Sequence, residues 1–161
     1  MSRGPAVIRH FTASAFVVWD GRVLLLLHRQ KRLWLPPGGH VEPDETPAAT
    51  ARREVREETG LSVQITSPRH PPGQAHAAPR PEASLEVEVE AGHVHLDLVY
   101  FARPAPASNP EALHPNEEAE ALRWWAAEEL RRFTLSPPPF GGALPNDVAA
   151  LAQQALGRAT R

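Results

Sequence analysis

The chain has 161 residues, of which 42% are hydrophobic and 22% charged, with a formal net charge of −2. That length fits one compact domain over 1–161, with its core over about 10–156, and the charge excludes a broad basic surface for nucleic acid. Cysteine is absent, which excludes disulfides, thiolate metal sites and a cysteine nucleophile and fits a reducing cytoplasm, the predicted location.

Arg9 and His10 precede the first apolar run, so no signal-peptide pattern is read. Thr12–Trp19 is apolar and β-rich and predicts a strand. Asp20-Gly21 is a hairpin turn signal. Arg22–Arg29 is a nearly continuous apolar run, which predicts a strand buried on both faces. Its aliphatic segment, Val23–Leu27, is far too short to span a membrane. Gln30–Arg32 reads as a turn and Leu33–Leu35 as a short apolar segment. Pro36-Pro37-Gly38-Gly39 predicts a loop.

A helix follows with clear punctuation. Thr46 can cap it, Pro47 suits its first position, and Ala48, Ala51 and Val55 form an apolar stripe. Gly60 suits the residue just past its end. Leu61–Thr66 predicts another strand. Ser67–Ser84 is rich in proline and too long for an ordinary connection, so it is expected to be functional, mobile or both.

Leu85–Glu90 alternates as a half-exposed strand does, and Ala91-Gly92 suits a turn. His93–Ala102 predicts a strand with Val94, Leu96, Leu98 and Tyr100 on one face and His93, His95, Asp97 and Val99 on the other. Arg103–Pro115 is a second Pro-rich loop. Ala121–Trp125 predicts a strand, Ala127–Arg132 a short helix, and Ser136–Gly142 a loop. A terminal helix, capped by Asn146, is expected to run to about Leu156. Mixed strands with two or three helices predict an α/β fold.

The chemistry lies in residues 39–61, GHVEPDETPAATARREVREETGL. Glu54, Glu57 and Glu58 are three and four residues apart on the helix, which puts their carboxylates on one side. Such like charges repel by about 0.2–0.5 kcal/mol per pair. A hard divalent cation reverses that cost, because Mg²⁺ and Mn²⁺ prefer oxygen ligands. Arg53 lies four residues before Glu57 and can hold its carboxylate in one orientation. Gly38-Gly39 lets backbone atoms approach a ligand closely. Metal ions would neutralise phosphate oxygens and acidify water, and a nearby carboxylate would take the proton.

This segment resembles the box of the Nudix (MutT-type) hydrolases: G, five residues, E, seven residues, then R-E-U-x-E-E-x-G-U with U aliphatic. Gly39, Glu45, Arg53, Glu54, Val55, Glu57, Glu58, Gly60 and Leu61 fill it with both gaps intact. The resemblance implies an α/β/α sandwich with a mixed β-sheet and hydrolysis of a pyrophosphate bond with Mg²⁺ or Mn²⁺. It implies Glu57 and Glu58 as the main metal ligands, joined by Glu54 and the Gly39 carbonyl. It further implies Arg53 as the residue that orients the glutamates and Glu45 as a supporting acid. Glu54, or an acid outside the box, is implied as general base. A downstream glutamate often completes such sites, and Glu117 and Glu118 are the candidates. The implied partner is a small nucleotide or nucleoside diphosphate derivative, with no membrane; a homodimer is a further implication.

Outside the box the residues leave alternatives open. Trp34 could stack on a base or pack in the core, and most aromatics bury area. Arg29 and Arg32 could contact phosphates or simply occupy an exposed turn. Trp124 and Trp125 alternate, so at least one should be buried. His93, His95 and Asp97 share metal-ligand spacing, but a third strong ligand is not evident, and the favoured reading is that they line the substrate side of the sheet or sit half-exposed. The competing functions are a non-catalytic nucleotide-binding or sensor module and a structural helix with coincidental acids.

Overall fold

A computed structural model describes residues 7–69, 73 and 78–160. The elements are β1 (Ile8–Trp19), β2 (Arg22–His28), β3 (Trp34–Leu35), β4 (Gly38–His40), α1 (Pro47–Thr59), β5 (Val63–Ile65), β6 (Ala83–Glu90), β7 (His93–Pro104), β8 (Ala119–Ala126), α2 (Ala127–Phe133) and α3 (Asn146–Ala159). The fold is the expected α/β class, a mixed sheet between helical layers.

The first hairpin forms because Asp20 and Gly21 both take positive φ, 49° and 69°, as a type I′ turn requires. Its second strand is buried from Val23 to Leu27 and packs on both faces, as its unbroken apolar run predicts. β7 runs parallel to β1 from Ile8 to Val17, and β5 and β6 pair antiparallel with the other edge of β7. β8 pairs antiparallel with β2. The long partner explains why β1 begins at Ile8, four residues before the expected strand.

β1 pairs with β2 only over Val17–Trp19. Beyond that point the two strands part, and the chain from β3 to β4 fills the fork. Trp34–Leu35 pairs with β2, Gly38–His40 pairs with Thr12–Ser14 of β1, and Ala15 N–H donates to the Pro37 carbonyl between them at 3.0 Å. The expected Pro-Pro-Gly-Gly loop therefore ends in a strand. A Cβ at Gly38 would lie 2.7 Å from the Ala13 carbonyl oxygen, so glycine is there to let two backbones meet.

Two apolar layers cover the sheet. On one face Ala13, Ala15, Val17 and Tyr100 meet Ala48, Ala51 and Val55 of α1. On the other, Phe16, Val23, Leu25, Leu27, Val99 and Phe101 meet Leu130 of α2 and Val148, Ala152 and Leu156 of α3. The terminal helix starts at Asn146 with Pro145 in the capping position and no side-chain cap, so Asn146 does not play the expected role. Among the described residues, no helix is long and apolar enough to cross a membrane.

Within the Pro-rich 67–84 segment, residues 70–72 and 74–77 lie outside the described ones. Its ends are anchored. The Ser67 hydroxyl accepts the Phe101 N–H at 2.9 Å, and Arg69 bridges to Pro79.

Candidate active site

Helix α1 is fixed at both ends by local chemistry. The Thr46 hydroxyl accepts the Ala49 N–H at 3.2 Å, Pro47 opens the first turn, and Gly60 closes the last at φ 75°. With the alanine stripe against β1, the three acids take different depths. Glu58 is 4% exposed, the Glu54 side chain 15% and the Glu57 side chain 55%. The sequence placed them on one side of the helix; packing makes that side a gradient from core to solvent.

Arg53 holds this arrangement. Its Nε and Nη2 donate to the two oxygens of Glu45 at 2.8 and 3.0 Å, a bidentate pair. Its Nη1 is shared by Glu54 at 2.8 Å and Glu57 at 3.1 Å, and Nη2 also reaches the His40 carbonyl at 3.2 Å. Thr50 donates to Glu45 as well, at 2.8 Å. The Arg53 and Thr50 hydrogen bonds hold the Glu45 carboxyl down at about 2, well below the ordinary carboxylate value. Glu45 is thereby an anion at neutral pH that joins the β4–α1 loop to the helix.

The two glycines of β4 meet two different glutamates. The Gly38 N–H donates to the Glu58 carboxylate at 2.9 Å. An added Cβ at Gly39 would lie 2.2 Å from the Glu54 carboxylate, so Glu54 occupies the space that glycine leaves. Burial pushes the Glu58 carboxyl up to about 8, against the Gly38 hydrogen bond, and the charges of Glu54, Glu118 and Glu57 push it further. Burial also raises Glu54 despite Arg53, again with help from Glu57 and Glu118. Burial is thus the main cause of both shifts, with the neighbouring carboxylates adding to it.

Glu118 is the member from outside the box, since its charge bears on both Glu54 and Glu58. The Asn116 side chain accepts the N–H groups of Glu118 and Ala119 and fixes the turn. Arg29 secures the same turn from β2. Its Nε donates to the Glu117 carbonyl at 3.0 Å, Nη2 contacts the Ala119 carbonyl at 3.4 Å, and its N–H donates to the Glu118 carbonyl at 2.8 Å. Arg29 thus holds an acid-bearing loop, a contact that neither sequence alternative, a phosphate contact or a plain exposed turn, included. Arg32 pairs with Glu120.

Trp34 is 1% exposed. Its ring packs edge-on to Trp125 and Phe140, and its Nε1 donates to the Gly141 carbonyl at 2.8 Å. No open face is left for a base, so the packing alternative holds and the stacking role is corrected. Trp125 is fully buried, while Trp124 packs against Trp19 and donates to the Pro110 carbonyl. Asp97 does not join a ligand set with its strand neighbours, because Thr12 and Ser14 hydroxyls donate to its two oxygens at 2.8 and 2.7 Å. A cavity of about 500 Å³ lined by Trp19, Arg103, Pro104 and Leu156 includes none of the box residues.

The NUDIX domain family model matches residues 8–141 of the chain. Phosphatase NudJ of Escherichia coli strain K12 is 41% identical over 63 residues, 38% of this chain and 39% of that protein. The match thus spans about two fifths of that relative's length. A NUDIX-family hydrolase from Clostridium perfringens superposes with a TM-score of 0.74 at 28% identity, covering 94% of this chain and 98% of that one. The solution structure of the E. coli ORF135 protein gives a TM-score of 0.59 at 26% identity and covers 98% of each chain.

Proposed function

The chain belongs to the NUDIX family, and from that premise we propose that it is a hydrolase that cleaves a pyrophosphate bond in a small nucleotide with Mg²⁺ or Mn²⁺ held at the α1 carboxylates. The substrate class is a nucleoside diphosphate linked to another group, or a nucleoside triphosphate. One observation carries this reading: Arg53 binds Glu45, Glu54 and Glu57 from one side chain while Glu58 accepts the Gly38 N–H and Glu54 fills the space beside Gly39.

The donor set fits a hard divalent ion. All its side-chain groups are carboxylates, and Glu54 and Glu58 are half-buried or buried acids raised chiefly by burial, so a bound cation would stabilise their charged forms. Glu54, Glu57, Glu58 and the Gly39 carbonyl would hold it. When bound, the ion neutralises charge on the phosphate oxygens and makes water more acidic. Arg53 keeps Glu54 and Glu57 in fixed orientations, and Glu45 fixes Arg53 in turn. Water attacks phosphorus, the bond to the bridging oxygen breaks, and the phosphate leaving group departs. Glu54, with Glu118 as the alternative, accepts the proton from water, as a general base must.

The direct test is a metal-supplemented screen over nucleoside triphosphates, ADP-ribose, dinucleoside polyphosphates and nucleotide sugars, with isotope-labelled water reporting the phosphorus attacked. Turnover should require Mg²⁺ or Mn²⁺. Glu57→Gln should lower kcat by about 100-fold or more, since even outer-shell partners of metal sites cost up to that, while thermal stability is kept. Glu118→Gln should impair turnover and Glu117→Gln should not. Tight nucleotide binding without turnover in saturating metal would overturn the catalytic reading in favour of a binding module.

A further inference from the structure

Strand alternation places His10, Thr12, Ser14 and Phe16 on the sheet face away from α1. The registers bring further histidines to the end of that face. His95 lies directly opposite His10 in the β1–β7 pair, His93 lies opposite Ile8, and His40 of β4 lies opposite Thr12. The four rings form a closed circuit, with centroids 5.3 Å apart for His10–His40, 4.8 Å for His40–His95, 5.1 Å for His95–His93 and 4.9 Å for His93–His10. One ligand nitrogen from each of His10, His40 and His93 falls within 4.8 Å of the other two. The Nε2 atom of His93 is buried and has no hydrogen-bond partner among the described residues.

We propose that His10, His40 and His93 form a second metal site, selective for a borderline transition ion of the Zn²⁺ type and separate from the acid cluster. Three strands that are distant in sequence supply the ligands, which is why His93 and His95 alone lacked a third partner. Imidazole suits Zn²⁺, whereas Mg²⁺ favours oxygen, so the two sites differ in the ion they choose. Zn–N bonds of about 2.0–2.1 Å put two tetrahedral ligand atoms about 3.3 Å apart. His10 and His40 are exposed, so small rotations of free rings close the remaining gap. The buried Nε2 of His93 gains the partner it otherwise lacks. His95 flanks the site, packed against His40 and His93, and the fourth position is open to solvent or a ligand.

The site would also bear on the first one. His40 follows Gly39 in β4, and its carbonyl accepts Arg53 while its ring faces the other side of the sheet. An ion at the histidines would therefore pin the short strand that carries both box glycines to β1 and β7.

The test is calorimetric titration of the chelator-treated full chain with Zn²⁺ in excess Mg²⁺, so that the acid cluster is occupied by the harder ion. One equivalent should bind. At a hundredfold excess over Kd the thermal midpoint should rise by about 5–10 °C. Co²⁺ in place of Zn²⁺ should give the visible absorption of a low-coordinate nitrogen site. His93→Ala should abolish binding. His10→Ala should weaken it at least about tenfold, since loss of even an outer-shell partner costs that much, and this exposed position keeps the test open if His93→Ala fails to fold. Glu57→Gln should bind Zn²⁺ unchanged. The proposal is overturned if both histidine variants retain full Zn²⁺ affinity, if Glu57→Gln abolishes it, or if the wild-type chain takes up no stoichiometric Zn²⁺.

Discussion

Arg53 makes its contacts from one planar fork: two to Glu45, one each to Glu54 and Glu57, and one to the His40 carbonyl. Lysine keeps the charge but offers its donors from a single point and cannot span these partners. Arg53→Lys should therefore leave Glu54 and Glu57 free to separate under their mutual repulsion. A misplacement of about 1 Å at a catalytic group costs up to about 100-fold in rate, so kcat should fall by that order with a smaller change in KM. Steady-state kinetics beside a thermal melt separate this from unfolding. Wild-type kcat in the Arg53→Lys variant would remove Arg53 from the positioning role. Glu45 is the support for that fork. Its neutral analogue in Glu45→Gln should lower stability by about 1–2 kcal/mol, the range of a partly exposed charge-assisted pair.

At the scale of elements, β4 decides the site, and its adjacent glycines should respond differently to the same substitution. A Cβ at 38 meets the backbone of β1, which cannot yield without parting two strands. Gly38→Ala should cost about 1–3 kcal/mol, as overpacking does. A Cβ at 39 meets only the carboxylate end of Glu54, which can swing away. Gly39→Ala should keep most of its stability and lose activity. Melting curves and kinetics on the pair decide this, and equal effects on both would contradict the register. The box helix was legible in sequence because its signals are local: Thr46, Pro47, the alanine stripe and Gly60 are all within one element. β4 was not, because a two-glycine segment has no apolar pattern, and its strand character comes from β1. The same non-locality hid the contacts of Arg29 with the 117–119 turn, which meet across a pairing of distant strands, left Glu117 and Glu118 as undivided candidates, and hid the histidine circuit. Trp34 was ambiguous because side-chain type alone does not say which face of the fork it fills.

Glu45 and Glu58 are pushed in opposite directions, and the stability of the whole molecule should vary with pH accordingly. Glu45 is held at about 2, below its ordinary 4.5, so its contribution is present above about pH 4.5 and is lost as pH falls towards 2. Glu58 is raised from 4.5 to about 8. The folded chain keeps that proton where the unfolded chain has released it, so stability is lost as pH rises from about 4.5 through 8, and Glu54 shifts in the same direction. With chelator present, the thermal midpoint should pass through a maximum near pH 5 and fall by about 5–10 °C towards pH 8.5, on the order of a few kcal/mol for a buried acid forced to ionise. Mg²⁺ should flatten the alkaline limb, because a cation among the acids offsets the charge they acquire. Glu58→Gln tests the assignment. The amide mimics the protonated acid and its oxygen can still accept the Gly38 N–H, so the alkaline fall should shrink even without metal. An unchanged slope in that variant would place the titrating group elsewhere. A shrunken slope together with lost turnover would show that one buried carboxylate sets both the stability of the metal-free fold and its need for a cation.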